Sequence, residues 1–170
     1  TLTQIEEFRM RFADRIQMHL FHEGALTPER VAQRWTDRVE EISNAIVAES
    51  ARWGDYRRDE HPRNCGCDLY DRDGYWLPEI DRLLTSYFPY RTDNVLGQYR
   101  SEGLYPLVEA AAFEVDGLPQ HGGEFDAGSL LSFAASAPVY YTLDGTDPRA
   151  EGGAAVGTLY RPGIDPPIEL

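Results

Sequence analysis

The chain has 170 residues, 42% of them hydrophobic, with ten Tyr and three Trp, which suits one large or two small folded domains rather than a disordered polymer. Its 16 basic residues are all Arg and are set against 29 acidic ones, and the resulting formal charge of −13 excludes a general binder of nucleic-acid backbones. No run approaches the roughly 18 apolar residues of a membrane span.

Ile5, Phe8, Phe12, Ile16 and Leu20 recur at helical spacing and predict an amphipathic helix from about Thr3 to Phe21, stopped by Gly24. Thr27-Pro28 supplies a cap followed by proline at the first helical position, a start signal. Val31, Trp35, Val39, Ile42 and Ile46 then line one face of a second helix that runs to about Arg52 and ends at Gly54. The polar stretch from Tyr56 to Asp73 reads as a loop. A third helix is predicted over Leu77 to Tyr87, and a short fourth after the cap candidate Thr92, ended by Gly103. From about Tyr105 the pattern changes to short strands with Gly and Pro between them. They are predicted at Ala112–Val115, Glu124–Phe125, Leu130–Ala134, Val139–Leu143, Thr158–Tyr160 and Pro167–Leu170. Helices first and strands afterwards favour an α+β chain with two segregated parts.

Within the strand region, Tyr140-Tyr141-Thr142-Leu143-Asp144-Gly145-Thr146-Asp147-Pro148 resembles a signature of chitobiase/β-hexosaminidase C-terminal-type domains, small immunoglobulin-like sandwiches appended to secreted enzymes. Tyr160 and Pro167-Ile168-Glu169-Leu170 resemble the continuation of that signature. In the helical region, Phe12-Ala13-Asp14-Arg15, Leu26-Thr27-Pro28, the stretch Ala48 to Asp55 and Phe88-Pro89-Tyr90-Arg91-Thr92 resemble the part that follows the active-site region in CotH (spore-coat kinase-like) proteins. The resemblance implies about four helices over residues 1–104, forming the late part of a kinase-like lobe. It implies a small antiparallel immunoglobulin-like β-sandwich over residues 105–170. Kinases of this family need a nucleotide-contacting Lys and metal-binding Asp residues upstream, and this chain has no Lys. The implied role is therefore non-catalytic: a structural part of a large secreted bacterial protein, at the cell surface or outside it. Its partner is the upstream domain of the same polypeptide, and it carries no cofactor of its own. The chain opens on Thr1 without Met and closes at Leu170 within a strand pattern, so it is expected to be a piece of that longer protein. Two alternatives are a carbohydrate-binding accessory module and a supporting part of an active atypical kinase.

Four residues form the most function-like group in the helical part: Glu49, Arg52, Trp53 and Asp55. Glu49 and Arg52 stand three apart and can pair along a helix, while Trp53 can stack on an arginine plane. They are expected to make a buried polar knot at a helix end, with the shaping of a neighbouring cleft as the alternative. His61, Cys65 and Cys67 suggest a metal, with Asp68 or Asp71 completing the set, but Cys-Gly-Cys is tighter than zinc spacing and no second pair exists. Free thiols or a small-ring disulfide are preferred, and no metal site is expected. Asp71-x-Asp73-Gly74 fits a calcium loop at neither end and reads as an Asp-Gly turn. His19, His22 and Glu23 read as a solvated helix terminus, and His121-Gly122-Gly123 as a turn. Tyr140 and Tyr160 are candidates for stacking on cell-surface carbohydrate, against the commoner use of such rings in packing.

Overall fold

The computed structural model describes residues 2–60 and 68–170. Contacts divide the chain into two compact units, Thr1–Met18 with Leu96–Leu170, and His19–Val95. Among the described residues no helix is long and apolar enough to cross a membrane.

In the unit His19–Val95 the longest element is α2, Pro28–Trp53; α1, Glu6–Leu20, ends just inside the same unit. Thr27 is extended (φ −66°, ψ 151°) and Pro28 opens α2, as the Thr-Pro pair predicts. The Thr27 side chain makes no capping hydrogen bond; it is buried instead. At the far end Gly54 has an ordinary helical φ of −61°, so positive φ is not the reason for glycine. Its carbonyl accepts the Tyr70 N–H at 2.9 Å, and an added Cβ would lie 2.5 Å from the carbonyl oxygens of both Ser50 and Tyr70. A short helix, α3, Tyr56–Asp59, lies within the stretch expected to be loop.

The expected break between a third and a fourth helix is absent. A helical run continues from Arg72 to Ser101 through a wide π-type turn at Arg72–Trp76, α4 at Leu77–Arg82, a second π-type turn at Leu83–Tyr87, and α5 at Phe88–Ser101. Pro78 and Pro89 each stand just after one of the wide turns. Proline has no N–H to donate and its ring crowds the carbonyl four residues back, and a wider turn relieves both effects without ending the helix. Thr92 is consequently no cap. It lies inside α5 and its Oγ1 donates to the Leu26 carbonyl at 2.9 Å, fixing the segment that leads into α2. Among the described residues of this unit Leu20, Ile80 and Phe88 are the buried large apolar ones, and the Phe88 ring meets Trp35 edge-on at 5.7 Å.

The other unit joins the first turns of α1 to the end of α5 and to all six strands. Phe12 packs edge-on against Tyr99 at 5.2 Å, and Ile16, Leu96 and Tyr105 are buried. The Tyr105 hydroxyl donates to Gln17 Oε1 at 2.5 Å. Gly103 (φ 67°) takes the left-handed conformation that stops α5, as expected. Strands β1 (Ala112–Val115), β2 (Leu118–Pro119), β3 (Leu130–Ala134) and β6 (Ile168–Glu169) form one antiparallel sheet in the order β2-β1-β3-β6. Strands β4 (Val139–Tyr141) and β5 (Thr158–Tyr160) form a second, also antiparallel.

Leu131 and Phe133 alternate inward along β3, and Phe133 meets Phe113 and Tyr160 at 5.2 Å and Tyr141 at 5.7 Å. The two small sheets thus share an aromatic core. The expected strand at Glu124–Phe125 is not formed, and β4 stops at Tyr141 rather than Leu143. Strand β2 was not expected, although Asp116-Gly117 announces it. Both residues have positive φ, 51° and 76°, the conformation of a two-residue hairpin turn.

Gly54→Ala is expected to cost about 1–3 kcal/mol through backbone crowding and to lower the thermal midpoint measured by circular dichroism. An unchanged midpoint would show that the Ser50 and Tyr70 carbonyls move aside freely.

Candidate functional site

The loop after β4 is organised by its own aspartates. Asp144 Oδ1 accepts the Thr146 N–H at 3.0 Å and the Thr146 hydroxyl at 2.6 Å, while Gly145 takes a φ of 78°. Asp147 Oδ1 accepts the Arg149 N–H at 2.9 Å and Arg149 Nε at 3.3 Å. Each short side chain satisfies backbone two residues ahead, and the Pro148 carbonyl accepts the Val156 and Gly157 N–H groups at 2.8 and 3.1 Å, so Asp-Gly-Thr-Asp-Pro holds a fixed loop.

This loop faces α1 within the same unit. Arg149 Nη2 donates to Asp14 Oδ2 at 2.5 Å, so one guanidinium joins the helix to the Asp147 side of the loop. One turn or two earlier on α1, Glu7 Oε2 accepts the Gly152 N–H at 3.1 Å, and Glu7 Oε1 accepts Arg11 Nε at 2.5 Å. The Met10 side chain lies against Gly153 (φ 89°), where a Cβ would sit 2.8 Å from Sδ. Glu7, Met10, Arg11, Asp14, Asp147 and Arg149 line a concavity of about 460 Å³.

Its electrostatics are those of a tie. The Arg149 guanidinium beside Asp147 lowers that carboxyl below its usual range, and the Thr146 hydroxyl lowers Asp144. The Arg11 hydrogen bond, followed by the Gly152 N–H, lowers Glu7. Hydrogen bonds from Arg149 to Asp14 and then Asp147 raise the arginine. All of these shifts favour the charged forms, so carboxylates and guanidinium stay paired. The arrangement can hold an element in place.

The predicted polar group is not buried. Glu49, Arg52, Trp53 and Asp55 are all exposed. The Arg52 guanidinium does lie over the Trp53 ring, at 5.1 Å from its centroid, and the second ring contact of Trp53 is to Tyr56 at 6.0 Å. Among the described residues, Glu49 and Arg52 form no ion pair with each other. The knot fails to form because α2 turns this end to solvent and only Gly54 beyond it is enclosed. Glu49 and Trp53 instead border an open groove of about 540 Å³ with Tyr70, Tyr75 and Trp76. Sequence reasoning missed those three rings. Their only signal was aromatic density between Leu69 and Leu77.

Tyr160 is removed as a stacking platform: it is 4% exposed and packed on Phe133. Tyr140, on the opposite face of the hairpin, stays exposed. Asp71 Oδ1 accepts the Gly74 N–H at 2.5 Å, and Asp68 Oδ2 accepts the Tyr75 hydroxyl at 2.7 Å, so both acids are used in local structure. His121 meets the Phe113 ring at 5.6 Å, with Gly123 at φ 95°. Helix α1 ends at Leu20, between His19 and His22. His61, Cys65 and Cys67 lie outside the described residues; among those described, no group of three His, Cys, Asp or Glu is placed to hold a metal ion.

Glu7 and Asp147 hold their protons less tightly folded than unfolded. Their contribution to stability is complete above the unfolded values of about 4 and is lost as pH falls through the lower folded ones. Arg149→Met is expected to lower the midpoint at about pH 7 by the worth of a partly exposed pair, about 1 kcal/mol or less. It is also expected to shallow the acid loss, read by thermal melts between about pH 6 and pH 2.5. Parallel pH profiles for the two proteins would contradict this assignment.

Compared with protein-family models, curated protein sequences and solved structures, the chain matches none of them.

Proposed function

We propose that the chain is a non-catalytic structural part of a large secreted, CotH-like bacterial protein. In this reading its helices buttress a kinase-like lobe supplied by the same polypeptide. The strands from Tyr105 onward make an immunoglobulin-like module that spaces or displays domains. The small antiparallel sheets around Phe133 are compatible with such a module.

One observation carries the reading. Helix α2 is 26 residues long, about 39 Å, and none of its residues is fully buried: Val31, Val39 and Ile46 of its apolar stripe are half-buried and Ile42 is exposed. Ile42 stands exposed on that face and Trp35, though it meets Phe88, is still more than a third exposed; Val47 is exposed on another side of the helix. A large apolar side chain gains about 1.5–3 kcal/mol when it leaves water, so a stripe of this length is suited to be covered. Large apolar side chains left in water beside a half-covered stripe suit an interaction face. The ionised, arginine-paired carboxylates beside α1 fit the same role, since they fix shape.

The double variant Ile42→Ser/Val47→Ser changes two residues already half in water. It is expected to move the thermal midpoint of this chain by no more than about 0.5 kcal/mol equivalent. The same variant is expected to weaken association with the separately produced preceding segment of the parent protein about ten-fold, read by calorimetry, as Ile42 on the stripe loses its cover. Equal affinity for parent and variant would overturn the proposal.

A further inference from the structure

The groove bordered by α2 and the Arg72–Trp76 turn has a composition that an apolar contact face alone does not require. Trp53, Tyr70, Tyr75 and Trp76 present rings to it, with Trp53 and Tyr70 each nearly half exposed. Tyr70 and Tyr75 are edge-on to one another at 4.7 Å, which fixes the angle between two of the walls. Around these rings stand the carboxylates of Glu49, Asp71 and Glu79. Arg82 engages Glu79 with two hydrogen bonds of 2.7 Å. Glu49 and Asp71 form no ion pair among the described residues, so they leave the rim negative. Aromatic faces are themselves negative, and they attract guanidinium and ammonium groups more strongly when a carboxylate stands nearby. The protein already shows this preference, since the Arg52 guanidinium lies on the Trp53 ring at 5.1 Å.

We infer that this groove is a binding site for cationic side chains, and that its occupant is an arginine-bearing segment of a basic partner peptide. Charge complementarity selects that occupant. The chain carries −13 overall and no lysine, and at the rim of the ring-lined floor Glu49 and Asp71 have no arginine partner among the described residues. A neutral saccharide would use the rings and gain nothing from the charge; an acidic peptide would be repelled. Guanidinium also matches the site's geometry, because its flat face stacks on a ring while its edge donates two parallel hydrogen bonds to a carboxylate.

The test follows tryptophan fluorescence of the whole chain while acetyl-Arg-Gly-Arg-Gly-Arg-amide is added in about 0.1 M salt. Saturable quenching is expected, weakening as salt is raised. Glu49→Gln and Tyr70→Leu are each expected to weaken binding about five-fold, the worth of one charge or ring contact. Glu40→Gln removes the same charge elsewhere on α2 and is expected to leave binding within about two-fold. Glu49 is exposed, so its variant keeps the test sound even if Tyr70→Leu disturbs the fold. Equal weakening by Glu40→Gln and Glu49→Gln would reduce the effect to overall charge and overturn the site. Quenching by a neutral β-linked glucose hexamer in place of the peptide, or no saturable change at all, would overturn it too.

Discussion

Arg149 holds together parts of the chain that no local rule would join. Its guanidinium reaches Asp14 on α1 and Asp147 in its own loop, two carboxylates far apart in sequence. With Glu7 accepting the Gly152 N–H, it makes the opening helix part of the same unit as the strands. The tie lies near the surface, where one ion pair is worth little. Its effect comes from several bonds sharing one rigid loop, so that each bond spares the next the cost of ordering it. Arginine suits the task because its planar fork can serve two acids at once. That use of charge also fits a composition in which every cation is Arg.

A second constraint is the pair of prolines in the helical run from Arg72 to Ser101. Pro78 and Pro89 are accommodated by widening the turn before each. The run therefore stays helical, and Thr92 faces the Leu26 carbonyl from inside it. These links secure both ends of α2 while its middle remains partly open to water: Thr92 fixes the approach to Thr27, and Tyr70 bonds to Gly54 at the exit. Surface held between fixed ends in this way fits the docking face proposed for α2.

Much of this architecture was legible from local chemistry. Thr27-Pro28 and Gly54 bracket α2, and Ala112–Val115, Leu130–Ala134 and Thr158–Tyr160 are strands as their alternation predicts. Each misreading has its own cause. Pro89 and Thr92 are each a valid helix-start signal, yet the wide turns made a start unnecessary. Asp116-Gly117 is a hairpin signal, but the returning strand is only two residues long and includes Pro119. For Tyr160, alternation alone leaves open which face of β5 turns inward; packing on Phe133 decides it.

The sites were harder to read than the fold. Glu49, Arg52, Trp53 and Asp55 were singled out for spacing, and spacing does correctly bring Arg52 to Trp53. It cannot say whether the helix end is enclosed, which depends on what packs around it. The groove beside them exists because Tyr70, Tyr75 and Trp76 return to α2 after an intervening stretch. Likewise the Arg149–Asp14 contact spans 135 positions, beyond any periodic pattern.

The proposed role rests on α2, whose partly exposed apolar stripe would be covered by the rest of a larger protein. Hydrogen–deuterium exchange of its backbone amides, followed in this chain and in the longer parent polypeptide, tests that most directly. The account predicts that amides around Ile42 and Val47 exchange markedly more slowly in the parent. Identical exchange in the two proteins would contradict it.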